Sequence, residues 1–316
     1  MRRFFARARA LHERGVLGIN QRNGAFVLPL NPRKHYPRVD DKLITKRLAE
    51  AAGIPTPRLL GVVAYQHELR DLPQMLAGRD QFVLKPAHGA QGNGIVVVTH
   101  VEADGRYRKS SGTLLSALDL RQHVSNTISG VFSLRGDVDS CLIEQRVILH
   151  PAFHDLTRFG IPDVRVVVYR GVPVMAMTRL PTAESDGRAN LHQGAIGAGL
   201  AIRDGVATHA AIHNHAVTHH VDTQAPIVGF RVPQWDDVLS LAVHAADMSG
   251  LGYLGVDIVI DAAHGPLLLE LNARPGLAIQ IANNEGLLPR LRRADALPAS
   301  ALATWSDRLA AAREIF

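Results

Sequence analysis

Residues 256–276 read VDIVIDAAHGPLLLELNARPG. Two apolar runs flank the turn signal AAHG, so the spacing predicts strands over Val256–Ile260 and Leu267–Asn272, meeting at that turn. Three polar side chains interrupt the apolar pattern: Asp257 in the first run, Glu270 and Asn272 in the second. Residues two apart on a strand share a face, so Glu270 and Asn272 point together. Pairing across the turn lets Asp257 face the same place. Unpaired buried charge is costly, and a hard divalent cation bound through oxygen is one economical reason for such a set. Mg²⁺ characteristically takes a few carboxylates plus substrate phosphates. Ion pairing of Asp257 and Glu270 with arginines such as Arg274 is the other reading.

Upstream, residues 81–99 read QFVLKPAHGAQGNGIVVVT. A strand over Gln81–Lys85 ends at a lysine and a proline. A turn over His88–Gly94 follows, with Gly89, Gly92 and Gly94, and then a strand over Ile95–Thr99. Glycines let a loop turn tightly and bring backbone N–H groups to phosphate oxygens, and a lysine beside such a loop adds a point charge for the same phosphates. The pattern GxxxxGK[ST] is missing and a strand rather than a helix follows, so the stretch is neither a P-loop nor a Rossmann turn. A glycine-rich hairpin carrying a surface lysine is the plainer reading of the same residues.

The rest of the chain supplies strands and a few helices. A helix is expected from about Lys42 to Ala52, with Asp40 or Asp41 as N-cap and Gly53 as its stop. GRYRKSSG reads as a hairpin and Leu118–Ile128 as a helix. Cys141–Ile148, Val164–Tyr169 and Val172–Arg179 read as strands. Asn190–Gly199 is glycine-rich, and Trp235–Gly250 is an amphipathic helix. Strands joined mainly by hairpin-length connections indicate α+β with antiparallel sheets.

Composition bounds the function. No run of 18 apolar residues occurs, so no transmembrane helix is expected, and no apolar h-region follows the basic start, which argues against a signal peptide. The single cysteine, Cys141, allows no intrachain disulfide and sits in what reads as a buried strand. These features point to the cytoplasm. The net charge of +6 is concentrated at one end: residues 1–47 carry 12 Lys or Arg against Glu13, Asp40 and Asp41. The first 14 residues place Phe4, Phe5, Ala8 and Leu11 on one helical face, with Arg2, Arg3, Arg7, Arg9 and Arg14 around them. Such a helix offers a surface to anionic lipid or an acidic partner, or packs on its own protein with the arginines solvated. With no long basic block, zinc-finger spacing or aromatic RNA-binding signature, no nucleic-acid partner is expected. His209, His213, His215, His219 and His220 crowd one stretch. A transition-metal site there is conceivable, but the interleaved small residues favour an exposed or partner-facing hairpin or loop.

The order of these pieces resembles the ATP-grasp superfamily, and more closely its branch of ribosomal-protein glutamate ligases. The matching stretches are DDKLITKRLAEAAGIPTP, FVLKPAHGAQGNGIVVV, LIEQRV, PDVRVVV, RANLHQGAI, YLGVDIVI and LLLELNARPG, from residue 40 to about 280. The resemblance implies two α+β subdomains clasping ATP, a central and lid subdomain over 41–147 and a C-terminal subdomain over 148–316, after a basic segment at 1–40. Members usually carry a Rossmann-like domain before the first ATP lysine. Only 41 residues precede Lys42 here, so a truncated segment is expected in that domain's place. A partner chain or a homo-oligomer mate would then supply the missing wall.

The resemblance also implies roles. Lys42 and Lys85 meet the ATP phosphates. His88, Gly89, Gly92, Asn93 and Gly94 form the lid loop, while Glu144, Gln145, Arg146 and Val147 read the adenine edge and Asp163 takes the ribose hydroxyls. Arg165, Arg179, Asn190 and His192 lie near the phosphoryl group and acceptor. Asp257, Glu270 and Asn272 hold two Mg²⁺ ions, with Mn²⁺ able to substitute, and Arg274 and Gly276 border the carboxylate substrate. The implied activity joins an amino acid, glutamate or a similar one, to a peptide, protein or small amine through an acyl-phosphate. A nucleotide-binding regulatory module that makes no bond is the alternative. The retention of Lys85, Asp257, Glu270 and Asn272 favours the enzyme.

Overall fold

The computed structural model describes residues 10–89, 92–133 and 136–316. Most of the expected N-terminal amphipathic helix, including Phe4, Phe5 and Ala8, lies outside them. The chain divides into two compact units: a smaller one from Asp41–Arg47 and Thr56–Ile148, and a larger one from Met1–Asp40, Leu48–Pro55 and Leu149–Phe316. Of residues 1–40, the described ones, 10–40, fall in the larger unit.

Helix α1 (Lys42–Ala51) starts where Asp41 Oδ1 accepts from the backbone N–H groups of Leu43 and Ile44, at 2.8 and 3.1 Å. Asp41 is therefore the N-cap. The helix stops at Gly53, whose φ of +69° suits glycine best. The smaller unit is a six-stranded sheet of β1 (Leu59–Val63), β2 (Phe82–Pro86), β3 (Val96–Val101), β4 (Tyr107–Lys109), β5 (Leu114–Leu115) and β6 (Cys141–Glu144), in the order β1-β6-β2-β3-β4-β5. Every neighbouring pair is antiparallel. Helix α2 (Ala117–Ile128) begins with a reciprocal cap between Ser116 and Asp119. Its Leu120, Val124 and Ile128, spaced by four, pack with Phe82, Leu84, Val98 and Ile143 as one core. Burying each such side chain contributes about 1.5–3 kcal/mol. The strand expected over Cys141–Ile148 ends at Glu144, because Gln145 N–H turns away to the Arg58 carbonyl at 2.9 Å.

The larger unit is a seven-stranded sheet of β7 (Asp163–Tyr169), β8 (Val172–Leu180), β9 (Ile196–Leu200), β10 (Ala207–Ile212), β11 (His215–Val217), β12 (Tyr253–Asp261) and β13 (Gly265–Asn272), in the order β11-β10-β9-β8-β7-β12-β13. All its neighbours are antiparallel as well. Helix α3 (Trp235–Ser249) lays Val238, Leu239, Ala242, Val243 and Ala246 into the core, followed by α4 (Leu287–Asp295) and α5 (Trp305–Ile315). Among the described residues no helix is long and apolar enough to cross a membrane. The histidine-rich stretch is the β10–β11 hairpin, turning at His213 and Asn214 with φ of +48° and +67°. His220 corrects the expectation of an exposed cluster: it is fully buried, its Nε2 on the Pro181 carbonyl at 3.0 Å and its Nδ1 accepting from Asp222 N–H at 3.2 Å.

Candidate active site

The polar face of the larger sheet is set by register. Asp257 on β12 stands opposite Arg165 on β7 and opposite Glu270 on β13, while Asp163 on β7 stands opposite Arg179 on β8. Directly paired residues share a face, so six polar side chains converge. Arg165 grips Asp257 bidentately, Nε to Oδ1 at 2.6 Å and Nη2 to Oδ2 at 2.5 Å. Arg179 grips Asp163 through Nε at 2.7 Å and through Nη2, which also reaches Asp257 Oδ2 at 2.9 Å. Asn272 Nδ2 stands 3.2 Å from Asp257 Oδ2 and 3.4 Å from Glu270 Oε1.

A bulge makes this convergence. From the turn, β12 and β13 pair regularly as far as Ile258 with Leu268. The register then shifts, and Asp257 pairs with Glu270. Leu269 is the extra residue. Without it Asp257 would oppose Leu269 and Glu270 would point to the other face.

Burial and charge compete within the cluster. Burial alone would raise the Asp257 carboxyl, but Arg165 and Arg179 outweigh it and hold Asp257 well below the usual carboxylate range. Burial also dominates at Asp163, and the nearby Asp257 charge adds to it. Arg179 offsets only part, so Asp163 is pushed up to about 6. The alternative to a cation in the sequence is pairing of Asp257 and Glu270 with arginines such as Arg274. In the structure Arg165 and Arg179 take Asp257, and Arg274 instead lies over the Tyr36 ring, 5.1 Å from its centroid. Asn190 Oδ1 caps the short turn containing the exposed His192, accepting its N–H at 3.0 Å. Among the described residues no hydrogen bond or ion pair joins Asn190, His192 or Arg274 to the carboxylates.

The donor set suits Mg²⁺. An amide N–H₂ bridges two carboxylates where a cation would satisfy both, and turning that amide presents its oxygen instead. Among the described residues no three His, Cys, Asp or Glu side chains form a metal-binding group.

In the smaller unit, Lys85 Nζ meets Glu144 Oε2 at 2.7 Å, and Lys46 Nζ lies 2.8 Å from Oε1. The Lys46 approach is one of charge without hydrogen-bond alignment, and that ammonium donates to Thr56 Oγ1 and the Pro57 carbonyl. All three charged side chains are buried. Lys42 Nζ reaches the carbonyls of Ala87 and Gly89, at 3.4 and 2.5 Å. His88 Nδ1 pairs with Asp139 at 2.8 Å. Gly94 needs to be glycine: its φ is +77°, and a Cβ there would stand 2.6 Å from the Phe132 ring. Arg146 donates to Gln81 Oε1 at 2.9 Å. Beyond Gln91, only Gly92, Asn93 and Gly94 of the loop crown fall within the described residues.

A family model described as sugar-transfer associated ATP-grasp matches residues 21–296. The chain belongs to this family. The α+β ATP-grasp fold expected from the sequence is thus the fold of this ATP-grasp protein. Ribosomal protein bS6–L-glutamate ligases of Salmonella paratyphi B and Salmonella newport are each 27% identical to it over 249 residues, 79% of this chain and 60% of theirs. The chain therefore spans about 60% of the length of the curated relatives it matches. Among solved structures, D-cycloserine synthetase DcsG aligns over 86% of this chain and 73% of its own, with 20% identity and a TM-score of 0.46. The ATP-grasp ligase PsnB, complexed with a minimal precursor, aligns over 88% and 63%, with 17% identity and a TM-score of 0.44.

Sequence reasoning missed several residues of this ATP-grasp chain's sites. Lys46 lies one helical turn beyond Lys42, a spacing that could have flagged it. Asp139 carries no sequence signal, since it lies in an irregular stretch. Arg22 and Asn31, from the basic segment, are buried and hold the backbone just after Asn272. Arg22 Nη1 donates to the Pro275 carbonyl at 2.6 Å, and Asn31 Nδ2 to the Ala273 carbonyl at 3.1 Å.

Proposed function

We propose that this ATP-grasp protein is an ATP- and Mg²⁺-dependent carboxylate–amine ligase. The observation that carries the reading is the convergence of Asp257, Glu270 and Asn272 on a sheet face that also presents Arg165 and Arg179. Family membership and the glutamate-ligase relatives support ATP-dependent ligation.

In this reading Lys42, Lys85 and the N–H groups around Gly92–Gly94 bind the nucleotide phosphates. Asp257, Glu270 and the Asn272 oxygen hold Mg²⁺, two ions with Mn²⁺ as a substitute, and the ion when bound neutralises phosphate oxygens. An oxygen of the substrate carboxylate attacks the γ-phosphorus. The bond from phosphorus to the β,γ-bridging oxygen breaks, giving an acyl-phosphate and ADP. The lone pair of an amine then attacks the acyl carbon, a proton leaves the nitrogen, and the C–O bond breaks to release phosphate. Arg165 and Arg179 stabilise the charge that builds in both steps. For Asp163 to take ribose hydroxyls, its ion pair with Arg179 must open. The carboxylate is glutamate or a similar amino acid, and the acceptor is a peptide, protein or small amine in the cytoplasm. Because the family description names sugar transfer, amino sugars are included among the amines to try.

The test is ADP release from Mg²⁺·ATP across twenty amino acids, each with acidic peptides and amino sugars as acceptors, with products weighed by mass spectrometry. Substrate-dependent ADP release with a product one residue heavier supports the ligase. ATP bound tightly with no turnover under any combination rejects it in favour of a nucleotide-binding regulatory module.

A further inference from the structure

Asp139 is a buried carboxylate that neither the family's implied roles nor the reaction above uses. Its two oxygens accept five contacts from four donors. His88 N–H reaches both, at 3.1 Å each, and His88 Nδ1 stands at 2.8 Å. Ser133 Oγ–H donates at 2.9 Å and Ser140 N–H at 2.7 Å. His88 is the first residue of the glycine-rich loop. Its other ring nitrogen, Nε2, lies 3.4 Å from Asp41 Oδ2, the cap of the helix that carries Lys42. Lys42 in turn contacts the Gly89 carbonyl at 2.5 Å.

Residues just before Asp139 also hold both ends of the loop: Gly89 forms a bridge with Ser133, and Gly94 fits against the Phe132 ring. His123 Nε2 meets the Gly94 carbonyl at 2.9 Å while its ring packs 5.1 Å from that of Phe132. A buried carboxylate must be offset by donors. Here four of its five contacts fix the loop or its bridging serine.

We propose that Asp139 is a positioning residue for nucleotide phosphates: through His88 it fixes where the loop N–H groups and Lys42 point. The inference rests on the nucleotide-binding half of the proposed function and not on ligation.

The test compares Asp139→Asn with the unaltered chain by calorimetric titration of ATP, ADP and adenosine, and by thermal melting without ligand. An amide at this position turns an N–H₂ toward other donors and loses the charge. The expected result is a loss of about tenfold in affinity for ATP and ADP, the size of one charge-assisted hydrogen bond, with adenosine affinity nearly unchanged and a lowered melting temperature, since buried donors lose their acceptor. Equal weakening of adenosine and ATP, or no change in either, overturns the proposal. If the variant does not fold, Ser133→Ala is titrated in its place, with a smaller loss in the same direction expected and the same overturning results. An unaltered chain that binds ATP without turnover overturns ligation and leaves the Asp139 result readable; one that binds no ATP overturns both.

Discussion

Asp257 on β12 is directly opposite Arg165 on β7, and both carboxylate oxygens are gripped by that one guanidinium, at 2.6 and 2.5 Å. Asp257 is fully buried, whereas Glu270, opposite it on β13, is only partly so. The two carboxylates therefore answer differently to mutation.

Glu270→Gln is expected to lower ADP release by at least about a hundredfold, because charge stabilisation is lost where phosphoryl charge develops. Fold and measurable ATP binding persist. Turnover and nucleotide titration of the same preparation check this, and full turnover would sink the metal assignment.

Asp257→Asn is expected to cost about 3–5 kcal/mol of stability as well as activity, since it leaves Arg165 and one of the three Arg179 contacts without a counter-charge. Urea unfolding of the two variants side by side distinguishes them. Equal midpoints would contradict the buried ion pair.

The two aspartates also protonate in a set order. Asp163 rises from its ordinary 3.8 to about 6, chiefly by burial, so its folded value lies above its unfolded one. Its contribution to stability is complete below about 3.8 and is lost as pH rises through about 6. Asp257 is held low by Arg165 and Arg179, so its contribution is present above the ordinary carboxylate range and fades only in strong acid. Relative to Asp163→Asn, the unaltered chain should lose stability as pH rises from 4 to about 6. Denaturant midpoints across that range test the sign, and a rise instead would reverse the order.

Cys141 sits in β6 with its thiol pushed up to about 12, mainly by burial. It should not react with iodoacetamide in native buffer and should react once the chain is unfolded in urea. Mass spectrometry of both samples reads this directly.

Gly94→Ala meets both a left-handed backbone and the Phe132 ring. A loss of about 1–3 kcal/mol in stability is expected, together with weaker ATP binding. Unchanged melting would mean that the loop's second foot shifts freely.

Much of this was legible in order along the chain. Apolar runs around AAHG announce β12 and β13, the stretch Leu118–Ile128 announces α2, and the i, i+2 relation puts Glu270 and Asn272 on one face. These are local periodicities, which a chain carries in its own covalent order. Strands β1 and β9 were not read as strands, and β10–β11 was read only as a hairpin or loop: β1 is five residues interrupted by Gly61, and the runs rich in Gly, Ala and His lack an alternating apolar signal.

The sequence by itself determined which residue types stand near which glycines and strands, and through them the family. Tertiary structure decided the partners. The extra residue at Leu269 brings Glu270 opposite Asp257. β7 and β8, not the loop bearing Arg274, deliver the arginines to it. A lone aspartate in an irregular stretch, Asp139, anchors the foot of the glycine loop. The physical reason is that a strand has a period of two, so a one-residue slip in pairing turns a whole face over. Where that slip falls depends on contacts between strands distant in sequence.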